Sequence, residues 1–269
     1  MNFDVASIKR NTSGAPAYRA SSNFPLGMGD SYSPNGGLFT ATNFGVSAFI
    51  QFAYRLSSRE TQALQSQLPK WANEERFDIE ARAGSEATKD QMRLMMQSLL
   101  ADRLKLAVHT ETREGPVFAL VLAKPGQTGP QLHRHSSNSP ACGTFTLSAS
   151  ARQADGTPTA CDVFLTLVDS EHVHTGARNV SMAMIAGAMP LPGMGTLDRP
   201  VVDQTGLSGT FDFSIDCAPE AAAGPSVQSP ETPPTFLEAL KDQLGLKLES
   251  TTAKIETLYI DHIEEPSPN

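Results

Sequence analysis

Two short runs carry the residue types most suited to chemistry: His133-Arg134-His135 and His172-Val173-His174. In an extended strand, side chains two apart share a face. Each run would therefore present two imidazoles to one ion, and imidazole nitrogens are common zinc ligands. Were the runs to converge, His133, His135, His172 and His174 would supply four nitrogens, with Asp169 and Glu171 close by in sequence. The competing reading is four surface histidines in a variable segment. A second set of groups consists of carboxylates on or beside strand-like stretches: Asp78, Glu80, Asp203, Asp212 and Asp216. Oxygen ligands of this kind suit calcium, but no EF-hand spacing accompanies them, and solvated strand faces explain them as well. The expected cofactor is thus a divalent metal, zinc or calcium, if there is one.

Other chemistry is less well supported. Gly29-Asp30-Ser31 is similar to the Gly-Asp-Ser block of one class of serine esterases, and His262 follows Asp261 near the C-terminus. A serine nucleophile needs a base within hydrogen-bond reach, so a Ser31–His262 pair is conceivable. No GxSxG, GxGxxG, P-loop or HExxH stands in the chain. Arg199, Asp203 and Ser208 fall in a dense stretch, residues 199–219, which reads first as structure. Pro200 to Asp203 is extended, Thr205-Gly206 turns, and Phe211, Phe213 and Ile215 share one face of a strand. Cys142, Cys161 and Cys217 have neither zinc-finger nor CxxC spacing. Cys142 and Cys161 would close a loop in an oxidising compartment and stay free thiols in a reducing one.

A net charge of −8, with the basic residues scattered, excludes a nucleic-acid surface, which needs clustered Lys and Arg. No run approaches the roughly 20 apolar residues that cross a bilayer. No export signal opens the sequence, so the protein is either cytosolic or has lost its leader. A hydrophobic fraction of 39% supports a packed core.

The elements that must position these groups occur twice. Residues 42–54 align with 178–190, each Asn followed by an apolar helix-like run. Residues 76–81 align with 210–215 as Phe-Asp strands. Asp102–Leu106 aligns with Asp242–Leu246, each followed by a polar turn and then an apolar strand, Val117–Ala123 and Leu258–Ile263. The order is the same in both halves, as duplication would give. Capping boxes start a helix after Thr88, with Gln91, and after Thr235, with Glu238. The helical stripe from Met92 to Leu100 reads as core rather than as a methionine-rich ligand groove.

The stretches FDVASIKRN, FTATNFGVSAFIQFAY, LPKWANEERFDIEARA, the run from Gln91 to Lys124, and RPVVDQTGLSGTFDFSIDCAP occur in that order. Together they resemble a family catalogued as a domain of unknown function and numerous in soil Acidobacteria. The resemblance implies export, since family members carry a signal ahead of the first strand; it implies no catalytic residue. The repeated unit is distantly similar, at the level of fold, to the short N-terminal domain of secretins and TonB-dependent receptors.

The expected fold is α+β: two duplicated units of two helices against small, mainly antiparallel sheets, packed as one globule. Residues 1–125 form the first repeat with an N-terminal strand and loop, 126–176 a variable connection, and 177–269 the second repeat with a mobile Ala/Pro-rich insert at 218–234. The expected function is an extracytoplasmic module, periplasmic or secreted, binding a small molecule or an envelope protein between the units. The alternative is a metal-dependent hydrolase of small esters or lactones, such as acyl lactones.

Overall fold

The computed structural model describes residues 1–136, 142, 153, 156–191, 193–219 and 233–266. The fold is α+β, in two compact units: Met1–Arg113 with Lys254–Asn269, and Glu114–Ala253. The chain passes between them twice.

In the first unit the strands β1 (Val5–Arg10), β2 (Ser21–Ser22), β3 (Leu38–Phe44) and β4 (Phe77–Arg82) form an antiparallel sheet in the order β1-β4-β3-β2. Strand β4 alternates as its sequence requires, with Phe77, Ile79 and Ala81 buried. Helices α1 (Val46–Tyr54), α2 (Ser58–Gln65), α3 (Lys70–Glu74) and α4 (Lys89–Arg103) complete this unit. Thr88 and Gln91 form the expected capping box of α4. The methionine stripe is core: Met92, Met95 and Met96 are buried in one cluster with Phe39, Phe49 and Phe52.

Two long strands follow a different course from the one expected. In place of a polar turn and a separate apolar strand, the chain stays extended from Ala107 to Leu122 (β5), and near its end from Leu246 to His262 (β11). Across the polar part, the side chains are matched by partners on the neighbouring strand. His109 Nδ1 lies 2.7 Å from Asp261 Oδ1, and its ring stacks on Tyr259. Such cross-strand pairs favour continued pairing over a turn.

The second unit contains β6 (Leu132–Arg134), β7 (Phe164–Val168), β8 (Val173–Ser181) and β10 (Thr210–Cys217), in the order β6-β10-β8-β7. Strand β9 (Val201–Asp203) adds parallel to β5, with Phe118 opposite Val201. Helix α5 (Met182–Gly187) follows β8, and α6 (Phe236–Leu244) starts in the Thr235–Glu238 capping box. Phe211, Phe213 and Ile215 are buried together on β10, as their alternation demands. Most of the Ala/Pro-rich insert expected at 218–234, and much of the connection at 126–176, lie outside the described residues.

The two sheets share a local device. Ala41 faces Ile79 and Phe44 faces Phe77, so Thr42 and Asn43 together stand against the single residue Asp78. In the other unit Arg178 and Asn179 stand in the same way against Asp212, between the Ala177–Phe213 and Val180–Phe211 pairs. Two residues against one is a β-bulge. Asn43 and Asn179 both adopt the left-handed conformation, at φ of 66° and 56°, which Asn tolerates better than most residues. The bulge turns each Asn amide toward the carboxylate: both Asn43 N and Asn179 N donate to Oδ1 of the facing Asp at 2.8 Å. These are the positions that the aligned Asn-led and Phe-Asp stretches place side by side. The likeness continues after α4 and α6, where Lys105 and Gly245 both have positive φ.

Candidate functional site

Three of the four histidines meet carboxylates of β10, and they divide between two of them. His133 is exposed on β6, opposite Asp212 in register. His135 Nδ1 lies 2.7 Å from Asp212 Oδ1, the oxygen that also accepts from Asn179 N. His172 and His174 share Asp216, four residues further along β10: His172 Nδ1 is 2.6 Å from Oδ1 and His174 Nδ1 is 3.5 Å from Oδ2. The strand spacing thus brings each pair to β10, but to different residues. Among the described residues no group of three or more His, Cys, Asp or Glu is arranged to hold a metal ion.

The hydrogen bond to Asp216 raises the pKa of His172, since the carboxylate favours the charged imidazolium. A raised folded pKa contributes stability that is fully present below the unfolded pKa and lost as pH rises through the folded one. His172 is therefore expected to titrate above an ordinary imidazole by NMR. Asp216→Asn should return it toward the ordinary value; an unmoved His172 would show that Asp216 is not its partner in solution.

The remaining carboxylates are used locally. Asp78 Oδ1 accepts from Asn11 Nδ2 at 2.7 Å and from Asn43 N. Asp203 Oδ1 accepts from the Thr205 amide and hydroxyl, which forms the turn at Thr205-Gly206. Arg199 pairs with Asp198 and lies over the Phe118 ring, 4.9 Å from its centroid. The Gly29-Asp30-Ser31 stretch is held by its backbone: Arg93 Nη2 donates to Met28 O and Gly29 O, and Lys89 Nζ to Ser31 O. His262 Nε2 meets Glu264 rather than a serine, at 2.8 Å.

One concavity of about 370 Å³ opens at the bulge of the first unit. Sequence reasoning did not single it out. Asn11, Gly14 and Ala15 border it from the loop after β1, Asn43 from the bulge, and Glu75 and Arg76 from the junction of α3 with β4. A backbone bond from Asn11 N to Arg76 O ties the loop to that junction, and the Asn43 side chain ties it to the bulge, Nδ2 donating to Ala15 O and Pro16 O. Of the four charged residues that border the opening, three have ion-pair partners. Arg10 spans Glu75 at 2.6 Å and Glu265 at 3.3 Å. Glu74 lies 3.8 Å from Lys70. The Arg76 guanidinium has no hydrogen-bond or ion-pair partner among the described residues. It rests against Gly45, where an added Cβ would meet Nη1 at 3.1 Å. The loop signal NTSGAP was legible in the sequence; that it folds back over the bulge was not.

Fold and site define an α+β protein with two bulged four-stranded sheets, a third sheet in the order β11-β5-β9, and a polar pocket at one bulge. The chain belongs to the family described as Protein of unknown function (DUF3738), whose model matches residues 47–263. No curated protein and no solved structure matches it.

Proposed function

We propose that this protein is an extracytoplasmic binding module that takes a small ligand in the pocket of its first unit. The observation that carries this reading is the pocket itself. It is concave, is lined by polar residues, and includes a guanidinium without a partner among the described residues. A few well-placed polar groups in a preformed concavity are how small-molecule sites are built. His135, His172 and His174 instead direct their Nδ1 atoms to carboxylates of β10.

The extracytoplasmic part of the reading is supported by a disulfide between Cys142 and Cys161, a bond that persists in oxidising compartments. Cys217 is a buried free thiol whose pKa burial pushes up to about 11. It therefore stays protonated and poorly reactive. The shared bulge, strand order and αL positions of the two sheets further suggest that the units descend from one ancestral copy.

The test of binding is an amide-resolved NMR screen of a small-molecule fragment library, read at Asn11, Gly14 and Asn43. Shifts confined to those amides support the reading; a library that leaves them all unmoved overturns it. Chromogenic esters and acyl lactones, assayed with and without EDTA, separate this reading from hydrolysis, because chelator-sensitive turnover would replace binding with catalysis. Alkylation of the denatured, unreduced protein purified from its native compartment should find one thiol, and three after reduction. Three thiols before reduction would remove the support for export.

A further inference from the structure

We infer that the ligand of the first unit's pocket is a small carboxylic acid anchored by Arg76. This deepens the binding reading above and rests on it. The inference comes from the charge inventory around the cavity. Its two acidic residues are each beside a cation, Glu75 with Arg10 and Glu74 with Lys70. Asp78 Oδ1 accepts from two residues that border the cavity, through Asn11 Nδ2 and Asn43 N. The Asn43 amide nitrogen is held by two loop carbonyls. Asn11 Oδ1 accepts from the Ser13 amide and hydroxyl. Of the four charged residues that border the cavity, the one without a partner among the described residues is the Arg76 guanidinium, which is partly buried.

A guanidinium presents a rigid fork of N–H groups that matches the two oxygens of a carboxylate. Partial burial strengthens such a pair relative to one in open water. The position of the fork is also set. Arg76 stands between the C-cap of α3, Glu75, and the first residue of β4, Phe77, and its carbonyl accepts from Asn11 N, so its backbone is fixed. The side chain lies against Gly45, the N-cap of α1, where no side chain caps the helix. A Cβ at 45 would press on the guanidinium, 3.1 Å from Nη1. The volume of the cavity, about 370 Å³, suits an acid of small-molecule size and not a folded partner.

The experiment is calorimetric and NMR titration of the whole chain with three acids, benzoate, glutarate and N-acetyl-alanine, and with their matched amides. The expected result is binding of at least one acid at least tenfold tighter than its amide, with shifts at Asn11 and Asn43. Arg76→Gln should abolish that preference, Arg76→Lys should retain part of it, and Arg113→Gln on the exposed β5 surface should leave it intact. Because the Arg76 side chain makes no hydrogen bond or ion pair among the described residues, the melting temperature of Arg76→Gln should stay close to that of the parent. Acid and amide bound alike, or an acid preference that survives Arg76→Gln, would overturn the inference. If amides shift Asn11 and Asn43 while acids gain nothing, the carboxylate assignment fails and the pocket stands. If neither series moves those amides, the assignment fails, and a fragment screen that also leaves them unmoved takes the pocket reading with it.

Discussion

Arg93→Met is expected to destabilise the first unit by about 2–3 kcal/mol, the scale seen when buried acceptors lose their donor. The Arg93 side chain is 3% exposed. It donates to Asp30 Oδ1 and Asp90 Oδ1, each at 2.7 Å, and to two loop carbonyls. Methionine fills part of the volume and satisfies none of those acceptors. The loss would be seen as a lower denaturant midpoint, and as amide-exchange protection lost first around residues 28–31. Arg55 provides the internal control. It reaches the same two carboxylates at 3.1 and 3.0 Å, but its side chain is 46% exposed. Solvent screening leaves such pairs worth less than about 1 kcal/mol, so Arg55→Met should be mild. Equal losses in the two variants would mean that the carboxylate contacts, rather than the buried loop carbonyls, carry the effect.

The second large effect is expected in the other unit. Gly129→Ala should cost about 3 kcal/mol, the upper end of what overpacking a tight site does. A Cβ at Gly129 would stand 2.3 Å from Gln243 O and 2.5 Å from Gly245 N. Those are backbone atoms of the α6 C-terminus and cannot rotate aside. The contact is close because the loop serves the helix end: Gly129 N donates to Leu244 O and Gln131 N to Gln243 O, satisfying carbonyls that a helix terminus otherwise leaves open. Gly126 lies in the same loop with φ of +73° and nothing within 4 Å of its added Cβ. Gly126→Ala should therefore cost only the left-handed strain, about 1–2 kcal/mol. Denaturant midpoints of the two variants decide the matter, and a Gly129→Ala protein no weaker than Gly126→Ala would refute the close approach.

Much of the fold was legible because it rests on short-range preferences. The capping boxes at Thr88 and Thr235 each join residues three apart, and both form as their sequences require. The alternation of Phe211, Phe213 and Ile215 needs only the two-residue repeat of a strand. The same kind of signal was present, unused, at α2: Ser57 and Glu60 form a capping box there too. The long polar part of β5 misleads for the opposite reason. Its extended course depends on Asp261 and Tyr259, some 150 residues away in the chain, and no local pattern reports them.

The candidate site divides along the same line. Strand periodicity puts His172 and His174 on one face, and both do meet Asp216. That His135 meets Asp212 instead depends on which strands flank β10. Aligning Asn43 with Asn179 and Asp78 with Asp212 marked the right residues, while their joint role emerged only once the sheets paired and each bulge aimed an amide at a carboxylate. Arg76 is the extreme case. Residue type and neighbours along the chain say that it is a cation beside two acids; whether a charge finds a partner is decided by which segments fold against it. Helix starts and strand faces follow from energies acting over a few residues, and so are written locally. A pocket with one charge left over is a remainder, known only after every long-range contact around it has closed.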